Sequence, residues 1–170
     1  HTDAAQAVGK IPVDVDVPGI DFLTVAGQKL YAPKGVGALF VREGRSLTPL
    51  IHGAAQELGL RAGTESVALA AGLGEACRIA AERLPLDAET MRSMRDRLQE
   101  LLFQTVEGLV LNGPREGRLP NTLFVSVPGV EGGRVLEGIP GLYASTGAAC
   151  HDRSVTLSHV LSAMGVPPEV

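Results

Sequence analysis

Ala26-Gly27-Gln28-Lys29-Leu30-Tyr31-Ala32-Pro33-Lys34-Gly35 is the stretch on which the reading of this chain turns. Residues 20–25 (Ile-Asp-Phe-Leu-Thr-Val) precede it as a mostly apolar run that fits a buried strand. Residues 36–41 (Val-Gly-Ala-Leu-Phe-Val) follow it and read as another strand. Lys29 therefore stands on a strand-to-strand connection, where functional groups are commonly displayed. Gly27 permits close backbone approach, and the apolar strand before it leads us to expect a partly desolvated amine. Desolvation favours the neutral, nucleophilic form of a lysine, which Schiff-base chemistry needs. Lys34 is the rival amine, although its Pro-Lys-Gly setting favours a structural turn. The alternative for either lysine is a solvated surface group.

Upstream, residues 11–16 (Ile-Pro-Val-Asp-Val-Asp) alternate apolar and polar and read as an edge strand, since Pro12 is unsuited to a central one. Asp3 sits at a strand exit with Gln6 one turn on. It reads either as a helix N-cap or as the carboxylate partner of a protonated ring nitrogen. Downstream, residues 50–63 are irregular, and Thr64 with Glu65 opens a helix to about Arg83. Its apolar stripe includes Val67, Leu69, Leu73, Ala76, Cys77 and Ala80. Thr64 is read as an N-cap, as a phosphate ligand at a helix N-terminus, or as both. Pro85 is expected to break the chain, and Asp87 to cap a second, charged helix over residues 88–107. The remainder reads α+β: strands at 109–111, 122–127 and 142–144, and helices at 131–138 and 157–164. Cys150 closes the small, polar loop Ser145-Thr146-Gly147-Ala148-Ala149-Cys150-His151 rather than an apolar stripe, and His151 beside it favours a reactive thiolate.

The bulk properties set limits. A length of 170 residues allows one domain or pieces of two, and 45% apolar residues are normal for a globular core. Trp is absent and aromatics make up 4%, so Leu, Val, Ile and Ala must build that core. The net charge of −4 and the lack of a basic patch argue against a nucleic-acid partner. No apolar run reaches the roughly 18 residues of a membrane span. Cys77 and Cys150 are too few for a disulfide framework, and no signal peptide is read, so a cytoplasmic setting is expected. The histidines lack metal-like spacing, and no metal site is expected. Both ends read as interior to a longer protein.

Lysine, carboxylate and loop thiol together suggest pyridoxal-phosphate chemistry at a sulfur centre. The motifs then converge. They are His1 to Lys10 (His-Thr-Asp-Ala-Ala-Gln-Ala-Val-Gly-Lys), Asp21-Phe22-Leu23-Thr24 with the lysine stretch, and Gln56-Glu57 with Gly59 to Glu65 (Gly-Leu-Arg-Ala-Gly-Thr-Glu). Leu119-Pro120-Asn121-Thr122 and Ser145 to His151 complete the set. With these, the chain resembles the cysteine desulfurase and selenocysteine lyase family, pyridoxal-phosphate enzymes of the aminotransferase class V type.

The resemblance implies an α/β fold: residues 1–85 as the C-terminal part of a fold type I large domain, and residues 86–170 as a linking helix and a small α+β domain. It implies Lys29 as the Schiff-base lysine, Asp3 as the pyridinium partner, Gln6 at the ring oxygen, and Gln28 beside the cofactor. It implies that Thr64 reaches the phosphate of the other subunit in a homodimer, and that Cys150 takes sulfur from L-cysteine as a persulfide, leaving L-alanine, for a sulfur-acceptor protein. A selenocysteine lyase acting on L-selenocysteine, another class V enzyme, and a non-catalytic class V paralogue are the competing readings. The family usually carries His before the lysine, where this chain has Gln28, and a run of glycines where it has Gly53-Ala54-Ala55. A Gln amide donates a hydrogen bond but does not change charge near neutral pH. The resemblance also places the main phosphate loop and a ring-stacking residue upstream, and a carboxylate-binding Arg downstream, outside this sequence.

Overall fold

Three strands carry the first half of the chain in the computed structural model, which describes residues 1–17, 19–142, 144 and 159–166. Strand β1 (Thr2–Asp3) pairs parallel with β2 (Phe22–Ala26), and β2 pairs antiparallel with β3 (Gly37–Val41), giving the order β1-β2-β3. The register sets Asp3 beside Thr24 and Ala26 beside Gly37. In β2 Leu23 is buried, at 3% exposure, and the other four residues are half-buried. The apolar run thus starts two residues later as a strand than its composition suggests.

Residues 11–16 do not form the expected edge strand. The Asp14 carboxylate accepts the Asp16 N–H at 2.8 Å, bending the backbone locally. Arg42 supplies what a partner strand would: its guanidinium donates to the carbonyls of Ile20 and Val15.

Helix α1 spans Val67–Thr105 without a break and contains Pro85. The expected pair of helices is therefore one. A proline removes one i→i−4 bond and costs about 3 kcal/mol in a helix interior, but both flanks are rich in Ala, Leu, Glu and Arg, and the helix resumes past it. Asp87 is not a cap. It accepts two bonds from the Arg83 guanidinium, at 2.8 and 3.0 Å, bridging the proline one turn apart. The helix also starts later than expected, with Ala70 N–H bonded to the Ser66 carbonyl. Ser66, not Thr64, occupies the capping position.

The chain divides into two compact units, His1–Met91 and Arg92–Val170. In the first, Leu30, Ala32 and Ala76 form a buried cluster against which Val8, Val25, Val36, Leu73, Cys77 and Ala80 pack. In the second, β4 (Val110–Leu111) pairs antiparallel with β5 (Val125–Ser126), and helices α2 (Gly132–Glu137) and α3 (His159–Ala163) follow. Asn112 is buried beside this pair, its side-chain amide donating to Ser126 Oγ at 2.7 Å. The strand read over 122–127 is only two residues long, and residues 142 and 144 are not in a strand. No helix of the described residues is long and apolar enough to cross a membrane.

Candidate active site

Because β1 and β2 are parallel, the chain leaves both at the same edge of the sheet, the edge where open α/β sheets place their ligands. Asp3 is the last residue of β1. Lys29 lies in a 3-10 turn, Gly27–Leu30, that directly follows β2. Sequence distance between the two residues is thus cancelled by strand pairing.

The lysine turn is held from several sides. Gly27 N–H donates to the Val36 carbonyl at 3.0 Å, and Ala32 N–H to the Gly27 carbonyl at 3.0 Å. Leu30 and Ala32 point into the apolar cluster, at 5% and 8% exposure, so Gln28 and Lys29 face outward. The expectation of a partly desolvated lysine is not met: Lys29 is exposed. The tight turn reverses facing between neighbours, and Leu30 takes the buried side. Tyr31 ends the turn in the left-handed region (φ 66°) and is fully exposed, a conformation rare outside glycine and common at functional turns.

Val25, Ala26, Gln28, Lys34 and Gly37 are among the residues lining an open depression of about 630 Å³. Lys34 borders it, whereas Lys29 is not among its lining residues. Lys34 is therefore a genuine rival on geometry.

Asp3 opens a turn over residues 5–10, not the helix of the N-cap reading. Its Oδ1 accepts the Ala5 N–H at 2.8 Å and starts the turn in which Ala7 and Val8 N–H groups donate to the Ala4 carbonyl. Ala4 is buried beneath it, while Asp3 and Gln6 are exposed. The capping bond uses one carboxylate oxygen and leaves the other available. His1 Nε2 lies 2.8 Å from Thr24 Oγ1, tying β1 to β2 as a structural histidine would.

Thr64 is exposed at the end of an irregular loop. Gln56 Oε1 accepts the Gly63 N–H at 3.2 Å, and Arg61 pairs with Glu57 at 2.8 Å. Among the described residues no hydrogen bond joins Thr64 to Asp3 or Lys29. Cys150 lies outside the described residues, as does the rest of its loop. Cys77 is half-buried on α1, as its apolar stripe implies. Among the described residues no group of three His, Cys, Asp or Glu side chains is placed to hold a metal.

Three residues whose side chains tie these segments together were not singled out from the sequence. Gln56 and Arg61 shape the loop before Thr64, and the i,i+4 spacing of Glu57 and Arg61 is a local signal of it. Lys10 donates from Nζ to the Lys29 carbonyl at 3.3 Å, a contact between distant segments that no local pattern announces.

The aminotransferase class-V profile matches residues 1–164. The chain belongs to the aminotransferase class-V family. Its relatives include a cysteine desulfurase IscS of Dictyoglomus turgidum, 45% identical over 172 aligned positions that cover all of this chain and 44% of the relative. A cysteine desulfurase of Gluconacetobacter diazotrophicus is 46% identical, covering 98% of this chain and 42% of its own length. Among solved structures, a NifS-like protein superposes with a TM-score of 0.83 at 37% identity, over 99% of this chain and 43% of that one. A NifS-like protein from Rickettsia africae gives a TM-score of 0.86 at 28% identity, over 98% and 44%. The chain spans less than half the length of these relatives. Class V aminotransferases and cysteine desulfurases are pyridoxal-phosphate enzymes of fold type I, and the sheet and helices here have that fold.

The residues present fit that cofactor. An amine and a carboxylate with a free oxygen leave parallel strands at one edge, and Gln28, next to the amine, borders a depression that Lys34 also lines.

Proposed function

We propose that this chain is the lysine- and cysteine-bearing part of a cysteine desulfurase that acts on L-cysteine. The reading is supported most by one observation: Asp3 and Lys29 leave the same edge of a parallel strand pair, in a chain 45% identical to a cysteine desulfurase along its whole length. Pyridoxal 5'-phosphate, when bound, supplies an electron sink that labilises bonds at the substrate α- and β-carbons.

The chain's own residues do the rest. Lys29 would hold the cofactor through its side-chain amine, and that amine would move the substrate's α-proton as a base. Asp3 keeps the ring nitrogen protonated through the carboxylate oxygen not used in capping. Gln6 hydrogen-bonds the ring oxygen, and Gln28 contacts the cofactor as a neutral donor. Thr64 reaches the phosphate bound by the other subunit of a homodimer. The Cys150 thiolate attacks the substrate sulfur: a sulfur–sulfur bond forms, the carbon–sulfur bond breaks, and its electron pair takes up a proton as alanine is completed. The resulting persulfide passes to an acceptor protein for iron–sulfur cluster or thiolated-cofactor synthesis. By itself the 170-residue chain holds the cofactor weakly and is inactive, since its relatives draw on more than twice this length.

Alanine release from L-cysteine by the full-length protein tests this. Wild type is expected to turn over. Cys150→Ser is expected to bind cofactor normally yet lose persulfide formation. Full turnover by Cys150→Ser would remove the sulfur-transfer role. The same assay with L-selenocysteine sets sulfur against selenium as the preferred substrate.

A further inference from the structure

Lys10 ends the turn that Asp3 begins, and that turn is joined to the lysine turn by two independent contacts. The first is apolar. Val8 packs on the Leu30–Ala32–Ala76 cluster, and Gly9 comes so close that a Cβ on it would lie 3.8 Å from Leu30 Cβ and 3.3 Å from Ala80 Cβ. Gly9 is also left-handed (φ +77°), so a side chain there is disfavoured twice over. The second contact is polar: the Lys10 ammonium donates to the Lys29 carbonyl at 3.3 Å. The carbonyl of a residue in a short 3-10 turn has no regular ladder partner, and a charged donor holds it more strongly than water does.

We propose that Lys10 is a positioning residue for Lys29, clamping its carbonyl so that the 3-10 turn presents the Lys29 side chain in one orientation. The proposal rests on the reading of Lys29 as the cofactor lysine. The Lys10 amine itself titrates below the ordinary lysine value, first because burial penalises its charge and second because the Lys29 ammonium repels it. Both causes mark a lysine drawn inward beside Lys29 rather than left in solvent. The arrangement links Asp3 to Lys29 through a turn that starts at Asp3 and ends at Lys10, whose ammonium holds the Lys29 carbonyl.

The test uses the full-length protein as wild type, Lys10→Met and Lys10→Arg. Hydrogen exchange is followed at residues 27–32 in cofactor-free protein, and the rate of visible-absorbing adduct formation is measured on adding pyridoxal 5'-phosphate. Loss of one charge-assisted bond is expected to speed exchange of the Ala32 amide about tenfold and slow adduct formation about tenfold in Lys10→Met. Lys10→Arg is expected to restore both. Wild-type exchange and adduct kinetics in Lys10→Met overturn the proposal, as does Lys10→Arg behaving like Lys10→Met. If Lys10→Met does not fold, Lys10→Gln carries the same expectations. A wild-type protein that forms no adduct at Lys29 overturns the functional reading and this role together; normal wild type with an unchanged Lys10→Met overturns this role alone.

Discussion

Asp3 serves two purposes that a pair of substitutions separates. Its Oδ1 accepts the Ala5 N–H and starts a turn, which needs only an oxygen. Its charge is the part that a pyridinium would need. Asp3→Asn keeps an oxygen acceptor and is expected to leave stability within about 0.5 kcal/mol, while turnover falls on the order of a hundredfold. Asp3→Ala loses both and is expected to cost about 1 kcal/mol of stability as well. Thermal melts beside alanine-release rates check the split; an active Asp3→Asn would reduce the residue to a turn cap. Both roles of Asp3 were legible in the sequence as alternatives, and the turn bond is the one the structure displays. Lys29 was legible as a loop lysine, and its exposure only as the alternative to a desolvated amine. Facing within a 3-10 turn depends on which neighbour finds an apolar cluster, and Leu30 finds Ala76, which is 46 positions away.

At the scale of elements, the lysine turn depends on Gly27. A Cβ there would lie 2.7 Å from the Val36 carbonyl oxygen, 3.0 Å from Val36 Cγ1 and 3.2 Å from Ala32 Cβ. The nearest of these is backbone, so β3 or the turn itself would have to move. Gly27→Ala is expected to destabilise the protein by about 1–3 kcal/mol and to slow cofactor attachment. Chemical denaturation and the attachment rate check this, and a neutral Gly27→Ala would show that the turn is looser than drawn. Helix α1 gives the opposite lesson. Pro85 and Asp87 spell a stop and a cap, yet the helix continues, because a proline's local cost is outweighed by favourable residues on both sides and by the Arg83–Asp87 pair. In residues 11–16 the alternation was real but had no strand to pair with. Arg42 met the exposed carbonyls instead, and no periodicity encodes a long-range side chain.

On the scale of the whole molecule, the core is thin. Among the described residues the buried apolar side chains are Ala4, Leu23, Leu30, Ala32, Ala76 and Leu161, while Leu50, Leu58 and Val67 are 92%, 98% and 75% exposed. Exposed apolar side chains of this kind are the ones that interaction surfaces use. The family was readable because its motifs are local and recur in order along the chain. That Asp3 and Lys29 share a site was readable only through the resemblance, because the pairing that sends both to one edge is not encoded locally. The account stands or falls on which amine the cofactor selects, because Lys34 borders the depression and Lys29 does not. Borohydride reduction of the full-length protein with bound pyridoxal 5'-phosphate, followed by peptide mapping, decides it. The account predicts a single pyridoxyl group on Lys29, lost in Lys29→Ala and kept in Lys34→Ala. Label on Lys34, or on neither lysine, would contradict it.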